Sequence, residues 1–208
     1  MVIAMRRFVA SLIFLGLLTA AAAADSPPVH LRGAIQSVDG KGFTMAPAGS
    51  KPVAVKLTDK TRITSLEASQ LSDITPGLFV GTAAIPQADG TLKAVEVHIF
   101  PEAMRGTGEG YRPFPQVKQG TMTNATITNI VGTQGAVSDN GLTLTLKYKD
   151  GEKTVVVPKG TPVVLLGEGK ASMLKAGAKV SVTGIKETGG ALDATRILVG
   201  LDGATPPI

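Results

Sequence analysis

Glu96 and His98 are the residues best suited to chemistry in this sequence, and Met104 follows a few positions later. Imidazole, carboxylate and thioether groups all bind transition metals, and a thioether favours copper. If residues 92–100 form a strand, Glu96 and His98 project from the same face of the sheet. The three residues form a candidate metal site and indicate, as one alternative, a metal-handling accessory protein. No His-x-His pair or aspartate repeat accompanies them, so we predict no cofactor.

The surrounding stretch "HIFPEAMRGTGEGYRPFP", residues 98–115, contains half of the six aromatic residues that follow position 24. A flexible linker is usually rich in glycine, serine and charged residues instead. Two interpretations stay open: a packed joint between two folded units, or a contact loop whose arginines bind carboxylates or other anions. The candidate contact residues are Phe100, Glu102, Arg105, Glu109, Tyr111, Arg112 and Phe114.

Gly106, Gly108 and Gly110 alternate within this connector and invite comparison with nucleotide-binding loops. The dinucleotide fingerprint is Gly-x-Gly-x-x-Gly and opens a helix whose N-terminus binds the pyrophosphate. Here the spacing is Gly-x-Gly-x-Gly, and Pro113 and Pro115 prevent a helix from following. The pattern therefore does not indicate a nucleotide site, and we expect a flexible chain from Gly106 that Pro113 and Pro115 then stiffen.

Signals for catalysis are weak. The sequence has no Gly-x-Ser-x-Gly elbow, and only His98 could serve a Ser-His-Asp triad. The absence of cysteine excludes thiolate metal sites, cysteine nucleophiles and disulfides. A carboxylate pair for glycosidic cleavage leaves little local signature, so a hydrolase of envelope polymers stays open as an alternative. We predict a protein that is not an enzyme.

The first 24 residues have the pattern of a secretory signal peptide. Arg6 and Arg7 form a basic start, an apolar run follows from Phe8 to Leu18, and the alanines up to Ala24 offer a cleavage site before Asp25. The apolar run is too short for a membrane-spanning helix, and there is no cysteine for lipid attachment. We therefore expect a periplasmic or secreted protein with no membrane span after cleavage.

Charge limits the choice of partner. Loss of Arg6 and Arg7 lowers the number of basic residues from 21 to 19 against 16 acids, which leaves a net charge of +3. This charge is too small to indicate a polyanion as the partner. The predicted partner is an envelope protein or a glycan, with no nucleic acid.

Similar sequence blocks recur at an interval of 100 residues, which predicts an internal repeat. "VKLTDKTRI" (55–63) resembles "VVVPKGTPV" (155–163), and "ITPGLFVGTAAI" (74–85) resembles "LKAGAKVSVTGI" (174–185). "ADGTLKAVEVHIF" (88–100) resembles "TGGALDATRILVG" (188–200), where Asp89-Gly90 predicts a hairpin turn.

Each copy reads as three strands, a short helix and two strands, which is the order of an OB-type five-stranded barrel. In the first copy, "SLEASQLS" (65–72) has helical spacing, with Ser65 as N-cap. The predicted fold is all-β, with two tandem five-stranded OB-like barrels, each having a short helix between strands 3 and 4; a β-sandwich or a hairpin meander is the alternative. The predicted boundaries are 1–24 signal peptide, 25–100 barrel 1, 101–121 connector, 122–203 barrel 2 and 204–208 tail.

Three motifs resemble a family of uncharacterised exported bacterial proteins with OB-like domains: "HIFPEAMRGTGEGYRPF", "TMTNATI" and "LTLKYKDGEKTVVVP". Some relatives carry labels connected with metal transport, including "permease". The residues do not favour a permease, because the only long apolar segment is the predicted signal peptide. The resemblance implies a fold and a compartment, and it supplies no activity. Together with the charge, it favours an exported binding or scaffolding protein.

Overall fold

The computed structural model describes residues 27–132 and 141–207. The predicted signal peptide, residues 1–24, lies outside the described residues, as does the last residue of the predicted tail. The described chain is all-β, as predicted, and contains thirteen strands. They are β1 Val29–Asp39, β2 Gly42–Pro47, β3 Val53–Lys56, β4 Arg62–Ser69, β5 Phe79–Pro86, β6 Leu92–Ile99, β7 Gly110–Pro113, β8 Thr121–Val131, β9 Leu142–Tyr148, β10 Gly151–Val157, β11 Val163–Glu168, β12 Lys179–Lys186 and β13 Leu192–Gly200.

Strands β5, β6, β10, β9 and β8 form a closed five-stranded β-barrel, which we call ring A. Four of its five pairings are antiparallel. The fifth joins β10 to β6 in parallel, with Val155 opposite Leu92, and closes the barrel. Closure leaves none of these strands as a free barrel edge, which removes a route to aggregation.

Strands β1, β2, β3, β13 and β12 pair in a second circuit, which we call ring B. Its antiparallel pairings join β1 to β2, β2 to β3, β12 to β13 and β1 to β12. A parallel contact between β13 and β3, with Leu192 opposite Val55, returns the circuit to its start. Each ring thus takes three consecutive strands from one half of the chain and two from the other half.

This arrangement differs from the predicted boundaries 25–100 and 122–203 for two sequential barrels. Strands β1–β3 complete their circuit with β12 and β13, more than 100 residues away, whereas β5 and β6 pair with β8–β10. Strands β4 and β11 lie between the rings and pair antiparallel with each other. The alternation of apolar residues sets which face of a strand is buried, but it does not choose between two similar partners for that strand.

The helix predicted over 65–72 is wrong, since β4 runs through Ser69. Leu66 is fully buried within β4, and Ser65, the expected N-cap, donates its hydroxyl to the carbonyl of Glu168 on β11. Strand pairing on both sides of β4, with β11 and β13, overrides the weak local preference for helix. Single 3-10 turns follow β4 at Leu71–Asp73 and β11 at Ala171–Met173, and a third lies at Glu102–Met104.

Apolar side chains fill both rings. The interior of ring A includes Val97, Ile127 and Leu144, and that of ring B includes Ile35, Val182 and Ile197. A third cluster lies between the rings, on the outer face of the central strands, and contains Leu66, Phe79, Phe100, Val164 and Leu166. The described segments contain no helix of the length and apolarity that crossing a membrane would require.

Candidate functional site

The aromatic residue that begins the connector is part of the third core cluster. Phe100 is buried and packs edge-on against Phe79, with ring centroids 5.3 Å apart. Its backbone amide donates to the carbonyl of Phe79. Phe114, near the other end of the connector, is only partly buried. Of the two interpretations of the connector, the structure favours the packed joint at Phe100.

Glu102 and Arg105 also bond within the protein. The Arg105 guanidinium contacts the Glu102 carboxylate at 2.6 and 2.7 Å and donates to the Gly77 carbonyl at 3.0 Å. These hydrogen bonds lower the pKa of Glu102 and raise the pKa of Arg105. Arg105 therefore fastens the 3-10 turn of the connector to the segment before β5.

The second half of the connector adds a short strand that the sequence did not predict. Strand β7 pairs antiparallel with β8, with Tyr111 opposite Thr123. Tyr111 remains 40% exposed, and the Lys153 ammonium lies 4.6 Å from its ring centroid. Glu109 accepts a hydrogen bond from the Lys149 amide. Tyr111 is thus the most accessible aromatic ring of the connector.

Arg112 bonds to the chain just before β7. Its guanidinium donates to the Gly108 carbonyl at 2.7 Å. Partial burial, followed by the positive charge of Arg196, lowers the pKa of Arg112. Two arginines from distant parts of the sequence therefore lie close enough to repel each other.

The alternating glycines serve the turn before β7. Gly106, Gly108 and Gly110 all have positive φ values, of 82°, 56° and 123°. A side chain is strained in this conformation, so glycine is the favoured residue at each position. The motif therefore shapes the connector.

Glu96 and His98 lie together, as their spacing predicts. The Nε2 atom of His98 is 3.1 Å from Oε1 of Glu96. The Glu96 side chain is 0% exposed and that of His98 is 12% exposed. The distance is within the range of an ion pair, but the geometry is not that of a hydrogen bond. Neither Glu96 oxygen has a hydrogen-bond partner among the described residues. A carboxylate buried in this way is costly unless a proton or a cation neutralises it.

Asn124 is a neighbouring polar residue that sequence reasoning missed. It lies opposite Gly81 on β5, and Gly81 lies opposite His98 on β6. A Cβ atom at Gly81 would be 2.8 Å from Asn124 Oδ1 and 3.0 Å from the Phe100 ring. Asn124 donates to the Thr107 carbonyl, and its Oδ1 atom is buried without a partner among the described residues. A glycine inside a strand often marks such a close approach, and this was the available signal.

The structure brings together only two of the three predicted metal ligands. Glu96 and His98 meet, whereas Met104 packs against the third core cluster. Nowhere in residues 27–132 or 141–207 do three or more histidine, aspartate or glutamate side chains form a group suited to a metal ion. Any metal at this position would depend on two protein ligands from the predicted set.

OB-type barrels often bind ligands on the face of their second and third strands, and in both rings the aromatic residue on the second strand packs against the core. Phe43 on β2 is buried inside ring B, and Tyr148 on β9 packs against the interior cluster of ring A. Nucleic-acid binding on such faces needs exposed rings on which bases stack. The two rings therefore use these aromatics for their cores.

A cleft of about 350 Å³ lies on the outside of ring B. Arg32 and Lys179 contribute its positive charge, and Thr205 and Pro206 of the C-terminal segment form one wall. Arg32 donates to the carbonyls of Pro206, at 2.6 Å, and Pro207, and so holds this segment in place. The rest of the lining is small or apolar and consists of Gly33, Ala34, Ala46, Ala48 and Val180. The cleft combines cationic and apolar surface, a combination suited to an anionic group on an organic chain.

Residues 32–98 match the family model of a domain of unknown function, DUF5666. The DUF5666 segment begins within β1 and ends within β6, so it contributes strands to ring B and to ring A. No curated protein matches the chain, and no solved structure does.

Proposed function

We propose that this protein is an exported, non-enzymatic binding or scaffolding module built from two OB-like units with exchanged strands. Its partner is an envelope protein or a glycan that carries anionic groups. The repeated blocks at an interval of 100 residues support two units of one kind. Corresponding positions also meet at the junction, since Leu66 lies opposite Leu166.

One observation carries the proposal of binding: the two rings are filled, and the cleft beside Arg32 and Lys179 lies outside them. A ligand must therefore bind on the outer surface. Both cations are exposed there, so an anionic group can reach them from solvent. Charge pairs at an exposed rim contribute mainly to specificity and to the rate of association.

The amino-terminal pattern of basic, apolar and small residues supports export. Cell fractionation with mass spectrometry tests this part of the proposal. We expect the protein in the periplasm or medium, with Asp25 as its first residue. Retention in the cytoplasm with an intact amino terminus would contradict export.

Binding is tested by capturing envelope proteins and anionic glycans on the immobilised protein. We expect the variants Arg32→Glu and Lys179→Glu to lose captured material that the unmodified protein retains in dilute salt. Lys41→Glu makes the same charge change in an exposed turn outside the cleft and is the matched control. Equal capture by all four proteins would contradict a role for the cleft.

A second candidate function, metal handling, has one observation in its favour: the buried contact between Glu96 and His98. A bound cation would neutralise the carboxylate. Protein purified without a histidine tag would then contain stoichiometric zinc or copper, or would gain thermal stability on adding either ion. Glu96→Gln and His98→Ala would abolish that gain. Absence of metal and of any thermal shift would exclude this function.

A further inference from the structure

The first four residues of β1 have a strand partner on one side only. Val29–Ala34 pairs with β12, but pairing with β2 begins at Gly33. The other side of Val29–Arg32 therefore has no paired strand among the described residues. We call this side the open edge.

Ring A has an additional strand, β7, at the position that corresponds to the open edge. In β8, Thr121–Thr126 pairs with β5, and pairing with β9 begins at Thr126. Strand β7 fills the remaining side along Thr121–Asn124. In ring A, therefore, a short extended segment pairs with the first part of β8.

The registers show that the two positions are equivalent. Gly33 of β1 lies opposite Val180, and Ala125 of β8 lies opposite Val80. Each strand then has an irregularity that begins two residues later, at Ile35 in β1 and at Ile127 in β8. Val29–Arg32 therefore occupies the place of Thr121–Asn124.

The two positions differ in burial, as expected if ring B lacks the strand that ring A has. All four residues of Thr121–Asn124 are buried beside β7, whereas His30 and Arg32 are exposed. The Ile35 amide donates towards β12, to the carbonyl of Ala178. Because alternate residues of an antiparallel strand bond to opposite sides, the amides of His30 and Arg32 face the open edge.

We propose that the open edge binds an extended acidic peptide segment of another protein, which adds to ring B as an antiparallel strand. This proposal rests on the proposed binding function and specifies its partner. Strand addition supplies main-chain hydrogen bonds for affinity, and alternate side chains supply specificity. The peptide would take the place on β1 that β7 takes on β8.

The side chains around the open edge define the peptide. Leu31 and Val53 are partly exposed members of the ring B cluster, so the peptide residue opposite Leu31 should be aromatic or aliphatic. The residue opposite Arg32 points to the other face, where the cleft presents Arg32 and Lys179. An acidic residue fits there. The expected pattern is acidic and apolar residues in alternation.

Charge also argues against a second copy of this chain as the occupant. Two open edges paired antiparallel over Val29–Arg32 would place Arg32 of each copy opposite Val29 of the other, so a second copy brings no carboxylate to Arg32. Cross-strand pairs of opposite charge are stabilising. Arg32 therefore favours a partner of opposite charge.

The test is an NMR titration of the ¹⁵N-labelled protein, expressed from its full sequence, with the capped heptapeptide Glu-Tyr-Glu-Tyr-Glu-Tyr-Glu. We expect saturable shift changes concentrated at the amides of Val29–Arg32. A peptide with N-methyl groups on the glutamates, whose amides face β1 when they lie opposite His30 and Arg32, cannot form the ladder of hydrogen bonds and should bind at least about tenfold more weakly. Arg32→Glu and Lys179→Glu should each weaken binding several-fold, with Lys41→Glu as the unaffected control.

Three results would overturn the proposal: no binding at millimolar peptide, shift changes that leave Val29–Arg32 unaffected, or equal binding of the N-methylated peptide. A concentration-dependent dimer with self-induced shifts at the open edge would replace the peptide by a second copy. If the peptide fails while envelope capture still depends on Arg32 and Lys179, the binding function stands and strand addition is wrong. If capture is also independent of both residues, the proposed function itself fails.

Discussion

Leu66 lies opposite Leu166 in the antiparallel pairing of β4 and β11. The two residues are 100 positions apart, the same interval that separates the repeated sequence blocks. On either side, β4 pairs in parallel with β13 and β11 pairs in parallel with β6, with Ile63 opposite Ile197 and Val163 opposite Val97. The junction therefore has approximate twofold symmetry, and each half of the chain crosses it to complete the other half's ring.

Phe100 and Tyr111 should differ strongly in their contribution to stability. Phe100 is buried against Phe79, so Phe100→Ala should lower the free energy of unfolding by about 3–5 kcal/mol. Tyr111 is 40% exposed, and Tyr111→Ala should lower the free energy of unfolding by less than about 1 kcal/mol. Urea denaturation measures both values. Similar losses for the two variants would contradict the packing described for the connector.

Gly81 should not tolerate a side chain. A Cβ atom there would overlap Asn124 Oδ1 and the Phe100 ring, so Gly81→Ala should cost about 1–3 kcal/mol of stability. Gly189→Ala is the matched control, because its added Cβ atom would meet nothing within 4 Å. Thermal unfolding of both variants checks this expectation. A neutral Gly81→Ala would show that the polar and aromatic neighbours lie further away.

The buried carboxylate of Glu96 should lower the stability of the folded protein. Glu96→Leu removes two buried oxygens that have no hydrogen-bond partner among the described residues and should raise stability at neutral pH by about 1–3 kcal/mol. Glu152→Leu, at an exposed position on β10, is the control. The measurement is chemical denaturation in the presence of a chelator. A loss of stability in Glu96→Leu would mean that the carboxylate has a stabilising partner.

The Glu102–Arg105 contact should give stability that depends on pH. The pKa of Glu102 is lowered in the folded protein by its hydrogen bonds with Arg105, so folding favours the ionised carboxylate. This contribution is complete above about pH 4.3, the ordinary value for glutamate, and is lost as the pH falls through the lower folded value. Thermal unfolding of Glu102→Gln should therefore differ from the unmodified protein at pH 7 and converge with it in acid. A difference independent of pH would assign the effect to packing.

Much of the local structure could be predicted from the sequence. The Asp89-Gly90 turn lies between β5 and β6 as expected, with Gly90 at a φ of 84°. The contact between Glu96 and His98 follows from their spacing on one strand. These features depend on residues close together in sequence, where the period of a strand and the chemistry of a turn decide the outcome.

The exchange of strands could not be predicted in the same way. Val55 pairs with Leu192 of the second half, although Leu92 of the first half has the same residue type at the corresponding position. A choice between such similar partners depends on the connections between strands. The sequence likewise did not predict strand β4. Two distant strands bury Leu66, whereas the local spacing of Leu66 suits a helix.

Asn124 was missed for a related reason. It is far in sequence from Gly81 and Phe100, and only the pairing of β5 with β8 brings the three together. Polar residues at buried strand positions have no local signature that separates them from exposed ones. The small residues of β5 were the sole indication that a neighbouring group approaches closely.

The exchange of strands is tested most directly by cutting the connector in the folded protein. A protease site inserted between Lys118 and Gln119, in the exposed turn before β8, allows the chain to be divided after folding. Light scattering under native conditions should then give one particle with the mass of the uncut chain, because each ring contains strands from both pieces. Separation into two folded pieces, each about half that mass, would contradict the exchange and restore two sequential barrels.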